Sequence, residues 1–170
     1  MASSFLTNLG LQVENKKGEP VVVDDGGLLA GKIVALYFSS SWCPACKTFT
    51  PLLSVLHEEA QEEGLDFQVI YVSSDTTKEQ CNRYMKENHG NWLRISFDAT
   101  AVLKTKFGVF AGREQSLFPT TKRRSGIPTM VIVSKEGNEL DLLDCDSTKV
   151  IKEIENKGTA FLDRWESYKW

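Results

Sequence analysis

The chain has 170 residues, a length that suits one domain, and its 41% hydrophobic and 25% charged residues exclude a disordered chain. A net charge of -3 gives no general footprint for a nucleic-acid backbone. No apolar run approaches the ~18 residues of a membrane-spanning helix, and the polar stretch Met1 to Val13 lacks the build of a secretory signal.

In chain order, residues 11–15 and 20–24 read as two short strands around Lys16-Lys17-Gly18, an N-terminal β-hairpin. Ile33 to Phe38, IVALYF, is a nearly unbroken apolar run, which suits a strand buried on both faces. Phe49, Leu52, Leu53, Leu56 and Ala60 then fall on one face of a helix. Pro44 suits its first position, Pro51 should kink it, and Gly64 marks its end. Phe67 to Ser73 is the next strand. Thr76 and Glu79 resemble a capping box, ahead of a helix with Cys81, Tyr84 and Met85 on its apolar face. Asp98 to Phe107 places Val102, Leu103 and Phe107 on one side of another helix.

Residues 108–126 show no period; loops that long are uncommon and are functional or mobile. Lys122-Arg123-Arg124 within it reads as a solvated charge cluster. Thr129 to Ser134 and Glu139 to Cys145 form a hairpin about Lys135-Glu136-Gly137-Asn138, and Ser147 caps a last helix carrying Val150, Ile151 and Ile154. The order describes an α/β domain, a central mixed β-sheet flanked by helices on both faces.

Cys43 and Cys46 form a C-x-x-C pair directly after a buried strand. A dithiol exchanger needs one thiol that ionises easily and a second close enough to attack it. A helix N-terminus lowers the pKa of a thiol placed there, and two intervening residues bring the second thiol onto the same turn. Cys43 therefore reads as the exposed attacking thiol and Cys46 as the buried resolving thiol. A zinc site would need a second ligand pair, and Cys81, Cys145, His57 and His89 are scattered without one, so no metal is expected. Cys81 reads as a buried structural thiol. Cys145, between Asp144 and Asp146, reads as one whose pKa is raised by their charge, and the two histidines read as surface or boundary residues.

The segment SSSWCPACKTFTP, Ser39 to Pro51, resembles the active-site segment of the thioredoxin superfamily, in its tryparedoxin and nucleoredoxin branch. Val72-Ser73-Ser74-Asp75 is similar to that branch's strand end, and Gly126-Ile127-Pro128-Thr129 to the superfamily's cis-proline loop. The resemblance spans about residues 10–155 of a single domain of 170 residues, with 156–170 as a C-terminal extension whose Trp165, Tyr168 and Trp170 pack back on the sheet or meet a partner. Departures are Ala45 where the branch has proline, Asn91 before Trp92-Leu93, and the long loop before Ile127.

The resemblance implies a thioredoxin fold and a thiol-disulfide oxidoreductase with no bound cofactor. Cys43 and Cys46 would be its catalytic, redox-active pair, and Trp42, Pro44, Ile127 and Pro128 its substrate contacts. Tyr37 occupies the place of the buried Asp of thioredoxins proper, so the proton acceptor for Cys46 is unassigned; Asp75, at the end of the neighbouring strand, is a candidate for it, or else a helix cap or a solvated turn residue. Electrons would come ultimately from NADPH, through a reductase or a small dithiol such as trypanothione or glutathione. They would pass to disulfide-containing proteins, peroxiredoxin-type peroxidases among them. The location implied is cytoplasmic, with the nucleus as a second compartment, and neither nucleic acid nor membrane is a partner. The alternative function is a redox-dependent protein-interaction module.

Overall fold

The computed structural model describes residues 3–170. Its elements are α1 (Phe5–Asn8), β1 (Val13–Glu14), β2 (Ile33–Ser39), α2 (Pro44–Glu62), β3 (Phe67–Ser73), α3 (Lys78–Asn88), β4 (Leu93–Ile95), α4 (Thr100–Phe107), β5 (Thr129–Val133), β6 (Glu139–Asp144) and α5 (Thr148–Lys157). Three 3₁₀ segments, Phe97–Ala99, Gly112–Leu117 and Gly158–Tyr168, complete it. The six strands form one mixed sheet in the order β1-β4-β3-β2-β5-β6. β2 runs parallel to β3 and antiparallel to β5, so it lies in the middle.

The unbroken apolar run of β2 is explained by its two faces. Ile33, Ala35 and Tyr37 enter one core, with Phe49, Leu53 and Leu56 of α2 and the C-terminal 3₁₀ segment. Val34, Leu36 and Phe38 enter the other, with Phe5, Leu103 and Phe107. A period of two thus deals one apolar run to two cores. α2 begins just past the C-terminal end of β2.

α2 runs through Pro51 without ending. The cap of α3 lies one residue later than the spacing predicts: Thr77 accepts the Gln80 N–H at 3.2 Å, while Gln80 itself takes the Thr76 N–H. Val102 is 41% exposed, because α4 turns Leu103 and Phe107 to the sheet instead.

The N-terminal hairpin is reduced to its turn. Asn15 N–H bonds to Glu19 and a single bridge joins Glu14 to Pro20. The Val21 N–H also bonds to the Val13 carbonyl at 3.0 Å, and no further bridge joins the two arms. β1 pairs instead with β4, where Arg94 Nε donates to Glu14 at 2.9 Å and Val13 faces Ile95. Residues 21–24 are irregular.

The 108–126 segment is closed rather than loose. Val109 and Ser125 form a parallel bridge, and Phe110 and Phe118 stack, buried, at 4.7 Å. Gly108, at φ +66, ends α4, and a side chain there would meet the Lys122 carbonyl. The basic run is a brace: Arg123 Nε donates to the Phe110 carbonyl at 2.8 Å, and Arg124 bonds the Phe107 carbonyl and pairs with Glu139.

Residues after α5 pack against the sheet face of α2. Phe161 and Trp165 are buried, Trp165 stacks on Phe67, and its Nε1 donates to Asp141 at 2.7 Å. Trp165→Ala is therefore expected to lower stability by about 3–5 kcal/mol, read as a shift of the guanidinium midpoint at unchanged slope. An unshifted midpoint would show that this segment is dispensable to the core.

Candidate active site

Cys43 is the N-cap of α2, in extended conformation, with Pro44 at the first helical position. Its sulfur accepts the Cys46 N–H at 3.2 Å, the bond an N-cap side chain makes. Cys46 is one turn in and wholly buried; Cys43 is the more open of the two, yet only 6% exposed. The exposure expected of Cys43 is thus a narrow window. Ile127 narrows it, with its carbonyl 3.9 Å from the Cys43 sulfur. The Ile127–Pro128 bond is cis, and the Pro128 carbonyl takes the Cys145 N–H at 3.1 Å.

The two thiols are driven apart. The Cys46 thiol beside it, then the N–H groups of Cys46 and Ala45, bring Cys43 down to about 7, against the opposing effects of burial and of Asp146. Cys46 is pushed far up, by the Cys43 sulfur first and by burial second. Behind Cys46 lies a chain of hydroxyls. Tyr37 bonds Thr50 at 2.8 Å, Thr50 bonds Tyr84 at 2.6 Å, and the Tyr84 hydroxyl donates to the Cys46 carbonyl at 3.4 Å.

Trp42 is half-buried, its Nε1 donating to the Ser74 carbonyl at 2.8 Å. Asp75 is 7% exposed and accepts four hydrogen bonds: the Ser41 N–H at 2.7 Å, and the hydroxyls of Ser41, Tyr71 and Ser73 at 2.6 to 2.7 Å. Two hold Ser41, the residue before Trp42, and two hold Asp75 to Tyr71 and Ser73 of β3; none reaches Cys46. The structure therefore gathers Trp42, Cys43, Pro44, Cys46, Ile127 and Pro128 at one place, and sets Asp75 on the Ser41 side of it.

Two residues of this site were invisible to motif and period. Glu114 is buried and accepts from the Ser74 hydroxyl, the Ala111 N–H and Lys104 Nζ, all within 2.7 to 2.8 Å. It pins the 112–117 segment beside Trp42. Its neighbour Arg113 then lies over the indole, 3.8 Å from the ring centre. Glu114→Ala would leave Lys104 buried and unpaired, an expected loss of about 3 kcal/mol by chemical denaturation. A stability loss under ~0.5 kcal/mol would show that water replaces the pair.

The remaining cysteines are inert by burial. Cys81 and Cys145 are 0% exposed and their thiols are pushed up, chiefly by burial in both cases, with Asp144 a lesser cause at Cys145. His57 and His89, expected near the surface, are buried against Trp92 at 5.4 and 5.1 Å between ring centres. His57 lies on the apolar face of α2, four residues after Leu53 and three before Ala60, a period that flags it; His89, just past the end of α3, carries no such signal. Among the described residues, no group of three or more His, Cys, Asp or Glu side chains is placed to hold a metal ion, and no helix is long and apolar enough to cross a membrane.

Residues 31–139 match the family model described as Thioredoxin-like. The chain belongs to the thioredoxin-like family. A probable nucleoredoxin 2 of Oryza sativa subsp. japonica is 41% identical over 133 residues, 78% of this chain and 29% of that protein. The chain spans less than a third of the nucleoredoxin relatives it matches. A thioredoxin of Wuchereria bancrofti superposes with a TM-score of 0.63 at 28% identity, covering 92% of this chain and 94% of the other. Tryparedoxin II complexed with glutathionylspermidine superposes with a TM-score of 0.53 at 26% identity, covering 88% of each. The mixed six-stranded sheet of this thioredoxin-like chain is the expected fold, and the relation to nucleoredoxins and tryparedoxins is the one its W-C-P-x-C segment implied.

Proposed function

We propose that this thioredoxin-like chain is a protein-disulfide reductase. The observation that carries the reading is the asymmetry of its two thiols on one helical turn: Cys43 down at about 7 in the N-cap, Cys46 held protonated and buried behind it.

The Cys43 thiolate attacks one sulfur of a substrate disulfide. A Cys43–substrate bond forms and the other substrate sulfur leaves as a thiolate. Once Cys43 is bonded to substrate, the sulfur that raised the pKa of Cys46 is no longer an anion, and Cys46 ionises more readily. Its thiolate attacks Cys43, the substrate leaves reduced, and a Cys43–Cys46 disulfide remains. Trp42, Pro44, Ile127 and Pro128 form the walls against which the substrate lies, with the Ile127 backbone beside the reacting sulfur. Asp75 serves by holding Ser41, the residue before Trp42; the Cys46 proton passes to the substrate sulfur that left as a thiolate.

Electrons return through a reductase or a small thiol or dithiol, ultimately from NADPH. The clients are disulfide-containing proteins of the cytoplasm, peroxiredoxin-type peroxidases among them. The neighbour complexed with glutathionylspermidine supports a small thiol donor. The test is turnover: with dithiothreitol in excess, the protein should catalyse the reduction of insulin disulfides at neutral pH. A rate equal to the uncatalysed one would overturn the reading.

A further inference from the structure

Trp42 carries one cation on its ring and shares a groove lining with two more. Arg113 lies over its ring at 3.8 Å. Lys47, the residue after Cys46, and Arg83 of α3 line a groove of about 440 Å³ whose wall includes Trp42 and Tyr84. Among the described residues, none of the three forms an ion pair.

The nearby carboxylates do not cancel them. Glu87, four residues after Arg83, is the one carboxylate in the groove lining. Glu114 is engaged by Lys104, and Asp75 is buried and saturated by four donors. Asp146 acts on the Cys43 thiol but does not line the groove. Two cations against one carboxylate in the lining, with Arg113 outside it on the indole, leave an excess of positive charge on the wall formed by the residue before Cys43, in a chain whose net charge is -3. The pinned 112–117 segment holds one of these cations in place, so it is not a loose surface side chain. The volume falls within the ~300–1,000 Å³ of small-molecule sites.

We propose that this groove binds the carboxylates of a small anionic thiol of the glutathione class and presents its sulfur to Cys43. What the thiol then does rests on the reductase reading above; whether it binds does not. A glutathione thiolate attacks the Cys43 sulfur of the oxidised pair, the Cys43–Cys46 bond breaks, a Cys43–glutathione bond forms, and Cys46 leaves and takes a proton. A second glutathione thiolate attacks the bound glutathione sulfur. Glutathione disulfide departs and Cys43 returns as a thiolate, two electrons having passed from two thiols to one disulfide.

The binding test uses S-methylglutathione, which keeps both carboxylates and has no free thiol, against its diethyl ester, which has lost both charges. Titrated into the reduced protein, the acid should move the Trp42 indole N–H resonance saturably. The ester should bind about tenfold more weakly, and added salt should erase the difference. Equal affinities for acid and ester, or saturation that leaves Trp42 unmoved, would overturn the proposal. So would tight binding of an acidic peptide with none of S-methylglutathione, which would assign the charge to a protein substrate. In the second arm the oxidised protein is reduced by glutathione and by dithiothreitol. The ratio of the two rates should fall about tenfold in a Lys47→Gln, Arg83→Gln, Arg113→Gln variant. An unchanged ratio sinks the groove even where the reductase stands. No insulin turnover together with acid-selective binding sinks the reductase and leaves the groove.

Discussion

Cys43→Ser is expected to abolish insulin reduction, while Cys46→Ser still attacks the substrate and stalls as a mixed disulfide. The two outcomes differ because the thiols occupy different electrostatic positions on one turn of α2. Cys43 receives the Cys46 N–H at 3.2 Å and ionises at about 7, so about half of it is thiolate at neutral pH. Cys46 is wholly buried and held protonated. Alkylation of the reduced protein should therefore label Cys43 first. Its rate should rise through pH 7, level off above about pH 8, and be about tenfold slower at pH 6 than on the plateau. Mass spectrometry of the labelled peptides reads the order, and earlier labelling of Cys46 would reverse the assigned roles.

Acid should weaken the fold well before its carboxylates protonate. Burial lowers His57 to about 4 and His89 to about 3, with Lys32 adding to the first and Lys16 to the second, and Gln68 opposing at His57. The Nε2 atoms of both are buried without a partner. In the unfolded chain each imidazole takes its proton near ~6.5. Between ~6.5 and these lowered values the unfolded state binds more protons, so stability falls as pH falls. By pH 4.5 the loss is about 2–3 kcal/mol for each histidine. Asp24, Glu139 and Glu153 are held below the usual carboxylate range, so their contributions are lost only at still lower pH. Guanidinium midpoints measured from pH 7 to pH 4.5 should drop steeply in the natural chain and more gently in His57→Leu and His89→Phe, whatever those variants cost at pH 7. Parallel slopes would place the acid sensitivity elsewhere.

The sheet and the dithiol were legible because their signals are local. IVALYF is contiguous, and W-C-P-x-C lies within five residues at a strand-to-helix junction. What escaped depends on contacts between distant residues. Glu114 reaches Ser74 across 40 positions, and nothing in the aperiodic 108–126 stretch marks it as an anchor. The burial of His89 follows from the placing of Trp92 against it, which no helix pattern contains, whereas His57 sits in the apolar period of α2 between Leu53 and Ala60 and only its polarity hides it. The second hairpin arm meets the first through one bridge only, and β1 takes its ladder from β4, 80 positions away. Arg123 and Arg124 read as solvated charge because a sequence shows charge and not the carbonyls that meet it.

The clasp on Asp75 limits what kind of message the dithiol can send. Two hydrogen bonds hold Ser41 to Asp75, two more hold Asp75 to Tyr71 and Ser73 of β3, and Trp42 is fastened beside them through Ser74. The wall of the site is thus already ordered before any substrate arrives, and docking there costs little conformational entropy. The same rigidity means that closing or opening the Cys43–Cys46 bond has little slack through which to move its surroundings. A partner that tells the oxidised chain from the reduced one must therefore read the sulfur, its charge and its proton, rather than a change of shape.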